Sequence, residues 1–201
     1  MGDYEWKNRP GSSLRNGEDQ INSDDQFLLG YTIPHTTGGI GNNFQYKNFS
    51  LNVFLDYAIG HTVQNYLQER YFMGTFNYNY NLTNEVKKTW QQPGDQTKYA
   101  KFFANDADDG NKNYSRVSNV FSEKGDYLCI REVTLAYNLP KKWLDKVRMT
   151  NASLYVSGNN LYYFTAVKGV SPERGVGSTY DTDYNPYPAA RKVSLGVKVS
   201  F

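Results

Sequence analysis

The chain has one cysteine, two histidines, no apolar run long enough for a membrane-spanning helix, and almost no net charge. Each shortage excludes something. With Cys129 alone there is no disulfide framework and no cysteine metal cluster. His35 and His61 both sit in turn-like sequence, and no G-x-S-x-G nucleophile motif accompanies them. No stretch of 18 apolar residues occurs, which excludes a transmembrane helix but not a transmembrane strand. A formal charge of +2 without a Lys/Arg block argues against nucleic acid as a partner. The opening MGDYEWKNRPG lacks the apolar centre of a secretory signal.

What is abundant is aromatic. Of the 201 residues 16% are Phe, Trp or Tyr, with 18 Tyr, although the mean hydropathy is -0.71. A barrel whose strands alternate and whose interior and loops are polar gives such values. Membrane-interface girdles and sugar-stacking loops both use Tyr heavily.

The most informative stretch is the last, KVSLGVKVSF at 192–201. Val193, Leu195, Val197, Val199 and Phe201 share one parity, and Lys192, Ser194, Gly196, Lys198 and Ser200 share the other. Side chains alternate across a strand, so one face is wholly apolar. At ~3.3 Å per residue and ~45° of tilt, such a strand crosses an apolar band ~25 Å thick. Taken alone, it fits a half-buried strand of a soluble sandwich equally well.

The same alternation recurs upstream. Ile40, Phe44 and Tyr46 lie on one face of a first strand. After Lys47-Asn48 a second strand sets Phe49, Leu51, Val53, Leu55 and Tyr57 on one face, with Ser50, Asn52 and Asp56 opposite and Phe54 as the exception. Two alternating runs joined by two residues predict a tight hairpin. Residues 127–138 alternate again through Val133, Leu135 and Tyr137. The parity at Leu128 and Ile130 is reversed, which predicts either a bulge near Arg131-Glu132 or a strand top standing above a membrane. Residues 139–150 form a short connection with room for one helical turn. Residues 152–165 set Leu154, Val156 and Gly158 against Ser153, Tyr155 and Ser157. Loops are expected at 9–35, 59–126 and 166–191, with weak helical patches near 63–73 and 83–90.

The connections separate the two architectures. They run short (47–48), long (59–126), short (139–150), long (166–191). In an antiparallel sheet successive connections fall at opposite ends, so all short turns share one end and all long loops the other. That asymmetry belongs to outer-membrane barrels, whereas a structureless loop of such length counts against a compact soluble domain. The expected fold is all-β: an antiparallel transmembrane β-barrel segment of five to six strands with long external loops.

Several stretches carry a family resemblance: GGIGNNFQYKNFSLNVFLDYAIG (38–60), GDYLCIREVTLAYNLPKKWL (125–144), ASLYVSGNNLYYFT (152–165), the PE of GVSPE (169–173) and NPYPAARKVSLGVKVSF (185–201). Together they resemble the carboxyl-terminal part of SusC/RagA-type TonB-linked outer-membrane transporters of Bacteroidetes. The resemblance implies a barrel of about 22 strands, its lumen closed by an amino-terminal plug. It also implies a SusD-like lid lipoprotein over the external loops, coupling to the TonB complex, and assembly by the barrel-assembly machinery through the strand ending at Phe201. Membrane lipid would face the apolar stripes, and the cargo would be an oligosaccharide or a peptide. Plug, energy-coupling segment and early strands are absent from these 201 residues. Five strands with two free edges cannot span a membrane alone, so the chain is expected to be one piece of a larger barrel. A Lys at 197 or 199 should cost ~2–4 kcal/mol near mid-membrane, and Ser194→Lys should be mild.

Other candidates are weaker. Trp90, Tyr180, Tyr184 and Tyr187 lie in loops where aromatic faces meet sugar CH groups or the lid, although packing within the loops accounts for any one of them. The segment LRNGEDQINSDD (14–25) aligns with a calcium-type loop, but Leu14 stands in place of the first carboxylate and Asp19 in place of the turn glycine. Too few oxygens remain for a hard cation, and the segment is expected to be metal-free. In NDADDGN (105–111) Ala107 spoils the ligand spacing. No catalytic residues and no cofactor are expected. A secreted soluble carbohydrate-binding β-sandwich is the alternative; it would bury Val193, Leu195 and Val197 against a second sheet. A simple porin differs only in lacking the plug.

Overall fold

A computed structural model describes residues 4, 25–65, 68, 84–101, 118–147, 149–173 and 189–201. The elements in order are β1 (Thr36–Tyr46), β2 (Phe49–Ile59), β3 (Thr62–Gln64), β4 (Ser122–Lys124), β5 (Tyr127–Asn138), the single-turn helix α1 (Lys141–Leu144), β6 (Asn151–Thr165) and β7 (Lys192–Ser200). Five strands form one antiparallel sheet in the order β1-β2-β5-β6-β7, and β3 with β4 forms a two-stranded one.

The chain divides into two compact units, Tyr31–Val63 with Lys124–Phe201, and Met1–Gly30 with Gln64–Glu123. The first holds the sheet. Tyr46 pairs with Phe49 across the two-residue turn, where Lys47 takes a left-handed φ of 52°. Asn48 closes the next connection as well: its side-chain amide donates to Asn138 O at 2.9 Å, and Asn138 N–H returns a bond to Asn48 O at 2.8 Å. α1 and the turn Asp145–Val147 carry the chain from β5 to β6, and Leu144 of α1 is buried.

The parity reversal in β5 is a bulge. Phe54 pairs with Glu132 and Leu55 with Ile130, which leaves Arg131 surplus to the ladder. Across the other edge Glu132 meets Asn159 and Ile130 meets Tyr162, so β6 answers with Asn160 and Leu161, Asn160 in the left-handed region at φ 52°. The extra residue lets Leu128 and Ile130, of one parity, share a face with Val133, Leu135 and Tyr137, of the other. A one-residue step exchanges which parity points to which side beyond it.

The second unit is built on polar turns around a small aromatic cluster. Tyr99 and Phe121 stack with ring centroids 6.1 Å apart, with Val120 beside them. Gln68 donates to the Tyr99 hydroxyl, and its N–H reaches Asn65 Oδ1 at 3.0 Å. Burial first, then the neighbouring carboxylates of Glu85 and Glu123 and the Tyr4 phenol, push the Tyr99 phenol above its usual range. The helical patch read near 83–90 is a five-residue 3-10 turn, Asn84–Lys88. The patch read near 63–73 opens as strand, because Thr62 and Val63 belong to a ladder with Ser122–Lys124. A β-branched pair suits that extended backbone better than a helix start. The remainder of that patch, Asn65 and Gln68 apart, lies outside the described residues.

Candidate functional site

The register turns the alternating pattern into rows that cross the whole sheet. From the short-turn end, one face reads Tyr46–Phe49–Tyr137–Leu154–Val197, then Phe44–Leu51–Leu135–Val156–Leu195, then Asn42–Val53–Val133–Gly158–Val193. Above the bulge come Ile40–Leu55–Ile130–Tyr162 and Gly38–Tyr57–Leu128–Phe164. Asn42 is the polar exception. This face is open: Phe44 is 57% exposed, Val193 73%, Leu195 86% and Phe201 85%. Leu51, Val53, Leu55 and Tyr57, in an interior strand, are half-buried by their cross-strand neighbours. No second sheet among the described residues covers the rows.

The opposite face is polar at the same levels, with Gln45–Ser50–Ala136–Tyr155–Gly196 and then Asn43–Asn52–Thr134–Ser157–Ser194. Phe54, the apolar residue on the wrong parity, belongs here for a steric reason. Its ring lies across β1, where a Cβ on Gly39 would stand 2.8 Å from Phe54 Cζ. Tyr155 covers Gly196 in the same way. The glycines leave room for rings that lie flat along the sheet.

Above the bulge this face carries a charged node. Arg131 grips Asp56 with two bonds, Nε to Oδ1 at 2.9 Å and Nη2 to Oδ2 at 2.7 Å. Nη1 donates to Asn160 Oδ1 at 2.7 Å and to the Tyr163 hydroxyl at 3.2 Å, and Nη2 also reaches Glu173. A guanidinium has five donors in a flat fork, which suits two carboxylates and an amide at once. The Arg131 and Glu173 side chains are each 28% exposed and Asp56 21%, so water screens the node only in part. Beneath it Ala58, Tyr127 and Cys129 are buried together, with Tyr163 packed against them.

The turn that brings Glu173 to Arg131 is fastened a second time. Pro172 is buried, and its carbonyl lies 3.1 Å from His61 Nε2, itself 3% exposed. His61 is seated in turn by Gly125, whose N–H donates to His61 O at 2.8 Å and whose missing side chain leaves space for the imidazole. The sequence does not mark His61, Arg131 and Glu173 as a group. The parity reversal is the signal for Arg131, since bulges re-aim side chains, and Glu173 falls in the PE that carries the resemblance.

Of the loop aromatics, Trp90 is half-buried, its N–H bonded to Tyr99 O at 3.1 Å. Tyr180, Tyr184 and Tyr187 lie outside the described residues, as do the acidic run 105–111 and all of 14–25 except the buried Asp25. Among the described residues no three His, Cys, Asp or Glu side chains are placed to hold a metal ion.

With this geometry the chain can be compared with known proteins. No family model matches it. A TonB-dependent receptor of Formosa agariphila is 26% identical over 96% of the chain, and the TonB-dependent receptor SusC of Bacteroides thetaiotaomicron is 23% identical over 98%. The chain superposes on the RagAB peptide transporter with a TM-score of 0.70, at 23% identity over 90% of its length. On the RagAB peptide importer in its open-open state the TM-score is 0.72 over 96%. The likeness is to SusC/RagA-type receptors. It extends over nearly all of this chain and bears out the resemblance and the β-barrel fold expected of the sequence. The chain spans about a fifth of the length of these SusC/RagA-type relatives, 18–19% of the curated receptors and 19–20% of the RagAB chains. The names these relatives carry are those of receptors and transporters, not of enzymes.

Proposed function

We propose that the chain is a wall segment of an outer-membrane, TonB-dependent importer of glycans or other oligomeric nutrients. The apolar rows, Phe49 to Tyr57 and Val193 to Phe201 included, face lipid; the polar rows face a water-filled interior. One observation carries this reading: the rows on one open face are apolar but for Asn42, those below the bulge running through all five strands, while the charged and most polar side chains of the sheet lie on the other face. A soluble domain exposing so large an apolar surface would aggregate or find a partner, whereas a bilayer requires it. Further strands along the outer edges of β1 and β7 close the barrel, because an open edge in hydrocarbon leaves backbone groups unsatisfied.

In the same reading the long loops open outward toward a SusD-like lipoprotein, and Tyr180, Tyr184 and Tyr187 lie near the cargo's entrance. Energy arrives through a plug and the TonB complex, and Phe201 closes a strand that the assembly machinery recognises. RagAB is named for peptides as its cargo, which makes peptides as well as glycans the first cargoes to try. The test is to express the full-length protein, fractionate membranes, and compare its gel mobility before and after boiling. An outer-membrane band whose mobility shifts on heating is expected. A soluble protein with no shift would refute the wall, and unchanged uptake in the Tyr180→Ala/Tyr184→Ala variant would refute the entrance.

A further inference from the structure

The short-connection end of the sheet has a composition of its own. Tyr46 and Phe49 flank the Lys47-Asn48 turn, and Tyr137 packs on Phe49 with ring centroids 4.7 Å apart. All three stand in the last row of the apolar face. Trp143 on α1 is 59% exposed while its neighbour Leu144 is buried, so the leucine pins this connection and the indole is left free. Thr150 N–H bonds to Ser200 O at 2.9 Å, which sets Phe201 at the same end.

Four lysines accompany these rings. Lys47 Nζ lies 5.3 Å from the centre of the Tyr46 ring, and Lys141, Lys142 and Lys146 are exposed on the β5–β6 connection. Asp145 is the one carboxylate among the described residues of the two short connections. None of the four lysines makes an ion pair among the described residues. Arg131, higher on the sheet, is by contrast held by two carboxylates.

We propose that this end is a binding surface for anionic phospholipid headgroups. The proposal rests on the reading of the sheet as a membrane wall and adds a lipid preference to it. Ring side chains with an apolar body and a polar tip settle at the headgroup level. Lysines there lay their stems along apolar surface and lift the ammonium to the phosphates. Unpaired ammoniums on flexible stems, spread along a rim of rings, suit a layer of mobile phosphates. A single free anion would need converging donors. The attraction of each lysine to an anionic surface fades within a Debye length, so salt should remove it.

The test uses the full-length protein in nanodiscs of phosphatidylcholine alone or mixed with phosphatidylglycerol, and counts retained phosphatidylglycerol by native mass spectrometry. At low salt, the wild type is expected to hold phosphatidylglycerol at least about tenfold more tightly than the Lys47→Gln/Lys141→Gln/Lys142→Gln/Lys146→Gln variant, with the difference gone at high salt. Equal retention by the two proteins would overturn the proposal, as would displacement of the lipid by inorganic phosphate, which would mark an anion site instead. Folding of both proteins in phosphatidylcholine alone keeps the wall reading whichever way the lipid result falls. Failure of the wild type to fold there overturns the wall, and this proposal with it.

Discussion

On one face of the sheet Phe44, Leu51, Leu135, Val156 and Leu195 form a single row across five strands, largely uncovered. On the other face Arg131 gathers Asp56, Asn160, Tyr163 and Glu173 at one point. The first face is defined by a property repeated every second residue, and many apolar residues would serve at each position. The second depends on particular groups, since a fork of donors fits its acceptors in one geometry only. Substitution should therefore be forgiving on the open face as long as it stays apolar, and unforgiving at the node.

The strongest way to test that contrast is Arg131→Ala, which strands two partly buried carboxylates. Loss of one partner of a buried pair costs roughly 3–5 kcal/mol, and partial exposure here puts the expectation near the low end, about 3 kcal/mol. The urea midpoint of the refolded full-length protein measures it. Arg131→Lys should recover little, because an ammonium lacks the fork; full recovery would reduce the node to a point charge.

Next in size is Leu195→Lys, expected to cost about 2 kcal/mol or more in lipid, against well under about 1 kcal/mol for Ser194→Lys one residue away. Equal losses in folded yield would erase the distinction between the faces. A smaller effect, about 1 kcal/mol, is expected of Gly39→Ala, whose Cβ presses on the Phe54 ring. Pairing it with Phe54→Leu should cost less than the sum of the single changes. The mildest probe leaves the sequence alone. Cys129 is fully buried, so a maleimide should label it only after unfolding; prompt labelling of the folded protein would show that the packing under the node is open.

The open face was legible because it has a period. Phe49 to Tyr57 and Val193 to Val199 announced their strands by parity, and the Lys47-Asn48 turn and the β5 strand fell where the pattern put them. The reversal at Leu128 and Ile130 was visible too, but sequence alone left two explanations for it. Pairing decides for a bulge, because Arg131 has no place in the β2 ladder. The node was not legible, since its partners lie far apart along the chain: Asp56 is 75 residues from Arg131 and Glu173 is 42. Charge gives no periodic signal, and although Glu173 falls in the PE that carries the resemblance, nothing local names Arg131 as its partner. Val63 and Gln64 mislead for the opposite reason: a short ladder overrides a weak helical period when its partner arrives from a distant part of the chain.

The bulge also gives β5 a spare residue. Loss of position 131 would bring Ile130 next to Glu132, opposite the adjacent pair Leu55 and Phe54, so the ladder with β2 could close without turning any side chain over. Loss of a paired residue lower down, such as Thr134, could be absorbed in the same place by drawing Arg131 into the vacant rung, and only the few positions between would change sides. Either way the strand survives a shortening that a perfectly paired neighbour would not, and what is forfeited is the guanidinium's hold on Asp56 and Glu173.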